Sequence, residues 1–127
     1  MAEGIADKVE AARPAGFELA LGEIGTFKRG RLARVVWQGL REGAAAIAPL
    51  AEMLEAESVR AGLEPEGRRY HAHLTLARAR SRDGAALPAL PSPPVLDAWR
   101  ARELVLFQSH LGRGGSVYEP LRVISLR

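Results

Sequence analysis

The chain has 127 residues, 47% hydrophobic and 26% charged, which suffices for one compact domain and excludes a large multidomain enzyme. Eighteen Lys and Arg against fifteen Asp and Glu leave a formal net charge of +3, a mild excess that favours an anionic ligand without demanding one. The absence of cysteine excludes a disulfide framework, a thiol nucleophile and Cys-ligated zinc. The opening Met1-Ala2-Glu3-Gly4-Ile5-Ala6-Asp7 has neither a basic n-region nor an apolar h-region, and no later stretch has the length to span a bilayer. A cytoplasmic protein with no membrane partner is expected.

Ile5, Val9 and Ala12 recur at near-helical spacing until Pro14-Ala15-Gly16, which predicts a short amphipathic helix. Phe17-Glu18-Leu19-Ala20-Leu21 alternates at period two before Gly22, as a half-buried strand with Phe17, Leu19 and Leu21 toward the core. Lys28-Arg29-Gly30-Arg31 reads as a basic turn and Val35 to Leu40 as a second strand, so the pair predicts a hairpin with a charged tip. Ile47, Leu50, Ala51 and Leu54 follow the i, i+3, i+4, i+7 template and predict a helix over 44–61, ended by Gly62, with Pro49 tolerable in its first turn. After a loop at Glu64 to Gly67, Tyr70 to Arg80 reads as a third strand, and the prolines within 83–94 make that stretch a surface loop. Val95 to Trp99 suggests one helical turn, Glu103 to His110 a fourth strand, Gly112-Arg113-Gly114-Gly115 a turn, and Tyr118 to Leu126 a fifth strand whose Pro120 suits an edge. The expected architecture is α+β in a single domain over 1–127, a mainly antiparallel sheet with helices packed on one face.

Chemistry concentrates in Tyr70-His71-Ala72-His73-Leu74-Thr75-Leu76-Ala77-Arg78. On a strand, positions i and i+2 share a face, so His71, His73 and Thr75 line one side while Leu74 and Leu76 turn to the other, to be covered by the helix around Leu50 and Leu54. An imidazole beside a hydroxyl suits a phosphoryl group: neutral imidazole takes a proton, imidazolium gives one, and the hydroxyl donates to a non-bridging oxygen. That chemistry needs no metal or other cofactor. His71 and His73 could instead form a metal pair, but no third ligand stands at a telling spacing.

His73-Leu74-Thr75-Leu76-Ala77-Arg78, followed by Leu104 to Leu111, Gly114-Gly115 and Tyr118-Glu119-Pro120-Leu121, resembles the C-terminal portion of bacterial and archaeal 2′-5′ RNA ligase-like proteins, the RNA 2′,3′-cyclic phosphodiesterases of the 2H phosphoesterase superfamily. Phe17 to Phe27 and Val35-Val36-Trp37 are similar to the strand pair preceding the second motif of that family, so the resemblance covers nearly the whole chain. It implies a bilobal fold in which each lobe gives one His-x-Thr motif to a shared cleft, this chain corresponding to one lobe and part of the other. It also implies metal-independent hydrolysis of RNA 2′,3′-cyclic phosphate to 2′-phosphate, with 2′-5′ ligation as a secondary activity. Carried across, His73 is one of the acid/base pair, Thr75 a phosphate donor and Arg78 the phosphate-binding cation, with His71 and Tyr118 as substrate-binding neighbours. By period two, however, Arg78 faces with Leu74 and Leu76, so it joins His73 only if the strand ends, twists or bulges near Ala77.

The family's first His-x-Thr motif has no counterpart, since His71, His73 and His110 are the only histidines. Three arrangements stay open. The chain is a fragment or late-started reading frame; or two copies pair as a homodimer, each presenting His73 and Thr75; or the lobe binds RNA without turnover. Gly112-Arg113-Gly114-Gly115 lacks the Lys and Ser/Thr that follow a phosphate-cradling loop and reads as a hairpin turn. Lys28 to Arg31 and Arg78 to Arg82 read either as solvated loop charge or as contacts to an RNA backbone.

Overall fold

The structure, a computed structural model, describes residues 1–127. Its elements run α1 (Ala2–Ala11), β1 (Phe17–Arg29), β2 (Leu32–Glu42), α2 (Ala44–Arg60), β3 (Leu74–Arg78), β4 (Trp99–Ala101), β5 (Glu103–Gly112) and β6 (Gly115–Ser125). The β1–β2, β2–β3 and β5–β6 ladders are all antiparallel, which with two helices gives the α+β class that the periodicities predict. The chain divides into two compact units: a terminal unit of 1–17, 49–69 and 100–127, and a central unit of 18–48 and 70–99. No helix is long and apolar enough to cross a membrane.

In the terminal unit, the helical spacing of Ile5, Ala6 and Val9 gives α1 one apolar stripe, and Ala6 and Val9 are buried by it. Ile124 of β6 is buried against them, with Leu104 and Leu106 from alternate positions of β5 and Met53 and Leu54 from α2 packed around. Arg122 of β6 holds α1 at two carboxylates one turn apart, Asp7 at 2.8 Å and Glu10 at 3.0 Å. The β5–β6 hairpin turns through Arg113-Gly114, with Gly112 opposite Gly115 and the latter at φ 111°, a left-handed conformation that glycine adopts freely. Pro120 pairs with Phe107 at a register shift, where its missing N–H is tolerated.

In the central unit, β2 lies between β3 and β1. Arg29 pairs with Leu32 across the two-residue turn Gly30-Arg31, so the basic segment is a hairpin tip as predicted. On β1 the most buried residue is Ala20, while Phe17, Leu19 and Leu21 keep intermediate exposure, so the expected core face is only partly covered. Gln38 is buried at mid-strand and its Nε2 donates to the Gly22 carbonyl at 3.0 Å, closing the irregular stretch of the β1–β2 ladder between Leu21 and Ile24.

Several expectations are corrected. The third strand is Leu74–Arg78, not 70–80, so His71 and His73 precede it. Leu74 and Leu76 are 49% and 48% exposed rather than covered, since strand alternation says which residues share a side but not which side is buried. Pro49 is the sixth residue of α2, past the first turn, and its missing N–H deletes one bond of the helical ladder. Val95 to Trp99 forms no helical turn: an isolated turn nucleates poorly, the Leu96 carbonyl accepts from Arg41 Nη2 at 2.7 Å, and Trp99 opens β4 instead. The proline-rich stretch carries no helix or strand, only a bridge between Ala33 and Ala85.

Candidate active site

His71 and His73 stand beside an aromatic pair that the β1–β2 ladder assembles. Gly25 pairs with Trp37 and Phe27 with Val35, so Phe27 and Trp37, one strand apart and diagonal to each other, share a sheet face. Their rings lie 5.4 Å apart at 37°. The indole reaches this place only because Gly25 has no side chain: a Cβ there would fall 2.4 Å from Trp37 Cζ2 and 2.5 Å from Cη2. The His71 ring packs edge-on to Trp37 at 4.5 Å and 65°, and the His73 ring stands nearly perpendicular to Phe27 at 5.1 Å and 87°. The two imidazoles are 5.7 Å apart.

His73 is exposed, and its Nδ1 lies 2.6 Å from the carbonyl oxygen of His71. A carbonyl can only accept, so Nδ1 carries the hydrogen and donates it. In the neutral ring the lone pair is therefore at Nε2, and in the imidazolium Nε2–H is the proton to be given. Two contacts from different directions, the edge of Phe27 and the main chain of His71, orient this ring.

Thr75 opposes Trp37 and is half-buried, while Arg78 opposes Val35. Between these pairs the register shifts: Trp37 and Val36 are consecutive on β2, yet their partners are Thr75 and Ala77, leaving Leu76 as an extra residue. Opposed residues of an antiparallel pair point to the same side, and Val35 and Trp37 share a side, so the bulge transfers Arg78 to the face of Thr75, Phe27 and Trp37. Strict alternation would have sent it to the other. The condition under which Arg78 could join the histidine face, a bulge near Ala77, is met one residue away.

The sequence reading missed Gly25, Phe27 and Trp37 as parts of this surface. The signal was present in Gly25-Thr26-Phe27 and Val35-Val36-Trp37, two i, i+2 pairs on strands already assigned to one hairpin, but their register was not readable. Tyr118 lies in the terminal unit, exposed, with its ring 6.2 Å from Phe107 at 70°. His110 is also in that unit and pairs with Glu119 at 2.9 Å across the β5–β6 ladder.

With these residues placed, comparison with known proteins is decisive: residues 39–118, which include His71, His73, Thr75, Arg78 and Tyr118, match the family described as LigT-like phosphoesterases. The chain belongs to the LigT-like phosphoesterase family. It is 33% identical over 110 residues to a protein of Escherichia coli named RNA 2′,3′-cyclic phosphodiesterase, spanning 87% of this chain and 58% of that one. A protein of the same name from Methanothermobacter thermautotrophicus is 34% identical over 115 residues, covering 87% of this chain and 61% of its own length. The chain thus spans less than two thirds of these relatives. Among solved structures, E. coli LigT complexed with 3′-AMP superposes with a TM-score of 0.82 at 30% identity, covering 98% of this chain and 67% of that one. TT0787 of Thermus thermophilus superposes with a TM-score of 0.75 at 27% identity, covering 98% and 69%.

Proposed function

We propose that the His73 face opens terminal 2′,3′-cyclic phosphates of RNA to 2′-phosphates by proton transfer at His73 Nε2, with 2′-5′ joining as the related reaction. The observation that carries this reading is the hydrogen bond from His73 Nδ1 to the His71 carbonyl, which leaves Nε2 free to exchange a proton just before the strand whose register sets Thr75 and Arg78 on one side. Water attacks phosphorus, a new P–O bond forms as the P–O3′ bond breaks, one proton leaves the water and one reaches O3′. Neutral His73 accepts the first at Nε2, or imidazolium delivers the second. The Thr75 hydroxyl and the Arg78 guanidinium hold the non-bridging oxygens, where negative charge grows in the transition state. These steps are supplied by side chains, so no cofactor or metal enters them. In joining, a 5′-hydroxyl replaces O3′ across the same phosphorus. The names of the relatives support RNA as the substrate class, and a cytoplasmic setting fits it.

One His-x-Thr segment supplies one of the two proton transfers. A second copy presenting its own His73 and Thr75 would supply the other, and Tyr118 would stack on a base. The test is hydrolysis of a short RNA ending in 2′,3′-cyclic phosphate, in EDTA, with product identity and the mass of the active species determined. A 2′-phosphate product lost in His73→Ala and carried by a dimer supports the reading, and turnover unchanged in His73→Ala overturns it. A second reading, an RNA-binding lobe without turnover, is favoured by the single motif. Tight RNA binding that survives His73→Ala, with no hydrolysis by the wild type, would select it.

A further inference from the structure

We propose that the basic end of the central sheet is a track for the phosphate backbone of an RNA strand whose terminus lies at His73, so that the substrate is a polynucleotide and not a mononucleotide. This rests on the reading above for where the RNA end sits.

Six cations beyond Arg78 lie at that end: Lys28, Arg29, Arg31 and Arg34 on the β1–β2 hairpin, where Lys28 and Arg31 turn to the side of Thr26 and Ala33, and Arg80 and Arg82 just after β3. The backbone ties the two groups together. Ala79 N–H donates to the Arg34 carbonyl at 2.8 Å, Ala85 N–H to the Ala33 carbonyl at 2.8 Å, and Ala33 N–H to the Ala85 carbonyl at 2.9 Å. The segment carrying Arg80 and Arg82 is thereby laid along the strand that carries Arg34. Gly84, at φ 101°, lies against the same backbone, where a Cβ would meet the Ala33 carbonyl oxygen at 2.8 Å.

Against these cations stands one acid, Asp83, whose carboxylate lies 3.6 Å from Arg29; Lys28, Arg31, Arg34, Arg80 and Arg82 have no carboxylate partner. In the terminal unit, by contrast, Lys8, Arg60 and Arg122 each engage an acid. With fifteen acidic residues in the chain, the lack of acids at this end reflects placement and not shortage. Such segregation raises the repulsion among the cations and builds a positive potential that a polyanion relieves. The register shows how the charge connects to the site. Arg78 shares the face of Thr75, and Arg29, two residues beyond Phe27, continues that face toward the tip. A strand leaving His73 along this face meets Arg78 and then Arg29, with the turn and the Arg80 to Arg82 segment to either side.

The test is the binding of a fluorescein-labelled twelve-nucleotide single-stranded RNA, followed by anisotropy over a range of salt. Each phosphate neutralised on a single strand contributes about 0.7 to the slope of log affinity against log salt, so Arg29→Gln with Arg80→Gln should flatten that slope by about 1.4. A fourfold rise in salt then costs the wild type roughly sevenfold more affinity than it costs the double variant. Arg102→Gln with Arg113→Gln, which removes the same charge from the terminal unit, should leave the slope unchanged. Equal flattening by both pairs, or by neither, overturns the track, as does equal affinity for a labelled dinucleotide and the twelve-nucleotide strand. Turnover decides the other question: hydrolysis without the slope change sinks the track and leaves the function standing, and the slope change without hydrolysis does the reverse.

Discussion

Gly25→Ala adds one methyl group beneath the Trp37 indole and tests how the site is built. The new Cβ would fall 2.4 Å from Cζ2 and 2.5 Å from Cη2, so the ring must retreat by about 1 Å to restore ordinary contact near 3.4 Å. The His71 ring, 4.5 Å from the indole, lies in contact with it, and His71 supplies the carbonyl that orients His73. Overpacking of this kind destabilises by about 1–3 kcal/mol, and a misplacement of about 1 Å at a reacting group costs on the order of a hundredfold in rate. The informative assay is nitrogen NMR of the histidine rings beside a melting curve. Neutral wild-type His73 should carry its hydrogen on Nδ1 and the lone pair at Nε2, and folded Gly25→Ala should show a mixture of tautomers. Gly114→Ala, with nothing within 4 Å of its Cβ, is the control that should change neither. A folded Gly25→Ala protein with the wild-type His73 spectrum and full hydrolysis would refute the reasoning.

Other changes separate packing from chemistry. Val9→Ala removes two methyl groups from a fully buried side chain at the α1 core and should lower stability by about 1.5–3 kcal/mol in denaturant titration, without altering the His73 spectrum. Pro49→Ala restores an N–H inside α2 and should raise stability, by up to about 3 kcal/mol, as a higher midpoint in the same titration. Thr75→Val keeps the β-branched shape and removes the hydroxyl; single-turnover hydrolysis should fall by about a hundredfold or more, with the melting temperature little changed. Arg78→Gln should weaken competition by inorganic phosphate and slow hydrolysis, and Arg78→Lys should recover only part of both, because an ammonium cannot make the paired contacts of a guanidinium.

Much of the fold was legible because the signals were local. The helical spacing of Ile5 and Val9 and of Leu50 and Leu54, the two-residue turn between Arg29 and Leu32, and the Gly112 to Gly115 turn depend on neighbours in sequence. What was not legible depends on partners distant in sequence. The bulge at Leu76 is a property of how β3 meets β2, and no feature of His73 to Arg78 alone announces it. The same holds for Trp37, whose position follows from a glycine twelve residues earlier on the opposing strand. Val95 to Trp99 has a pattern that fits a helical turn, but Arg41 takes the Leu96 carbonyl. Strand parity grouped His71 and His73 with Thr75, although the strand begins only at Leu74, and it could not say that Leu74 and Leu76 stand exposed. The residue types of the candidate site were legible in the sequence, and their arrangement only through the ladder.

Single-turnover hydrolysis of an RNA 2′,3′-cyclic phosphate by His71→Ala and His73→Ala, side by side in EDTA, tests most directly whether the imidazole of His73 moves the proton. His71 orients its neighbour through a main-chain carbonyl that alanine retains, so His71→Ala should keep the larger part of the rate, whereas His73→Ala should lose about a hundred- to ten-thousand-fold. Equal losses in the two variants, or the larger loss in His71→Ala, would contradict the assignment of Nε2 of His73 as the reactive nitrogen.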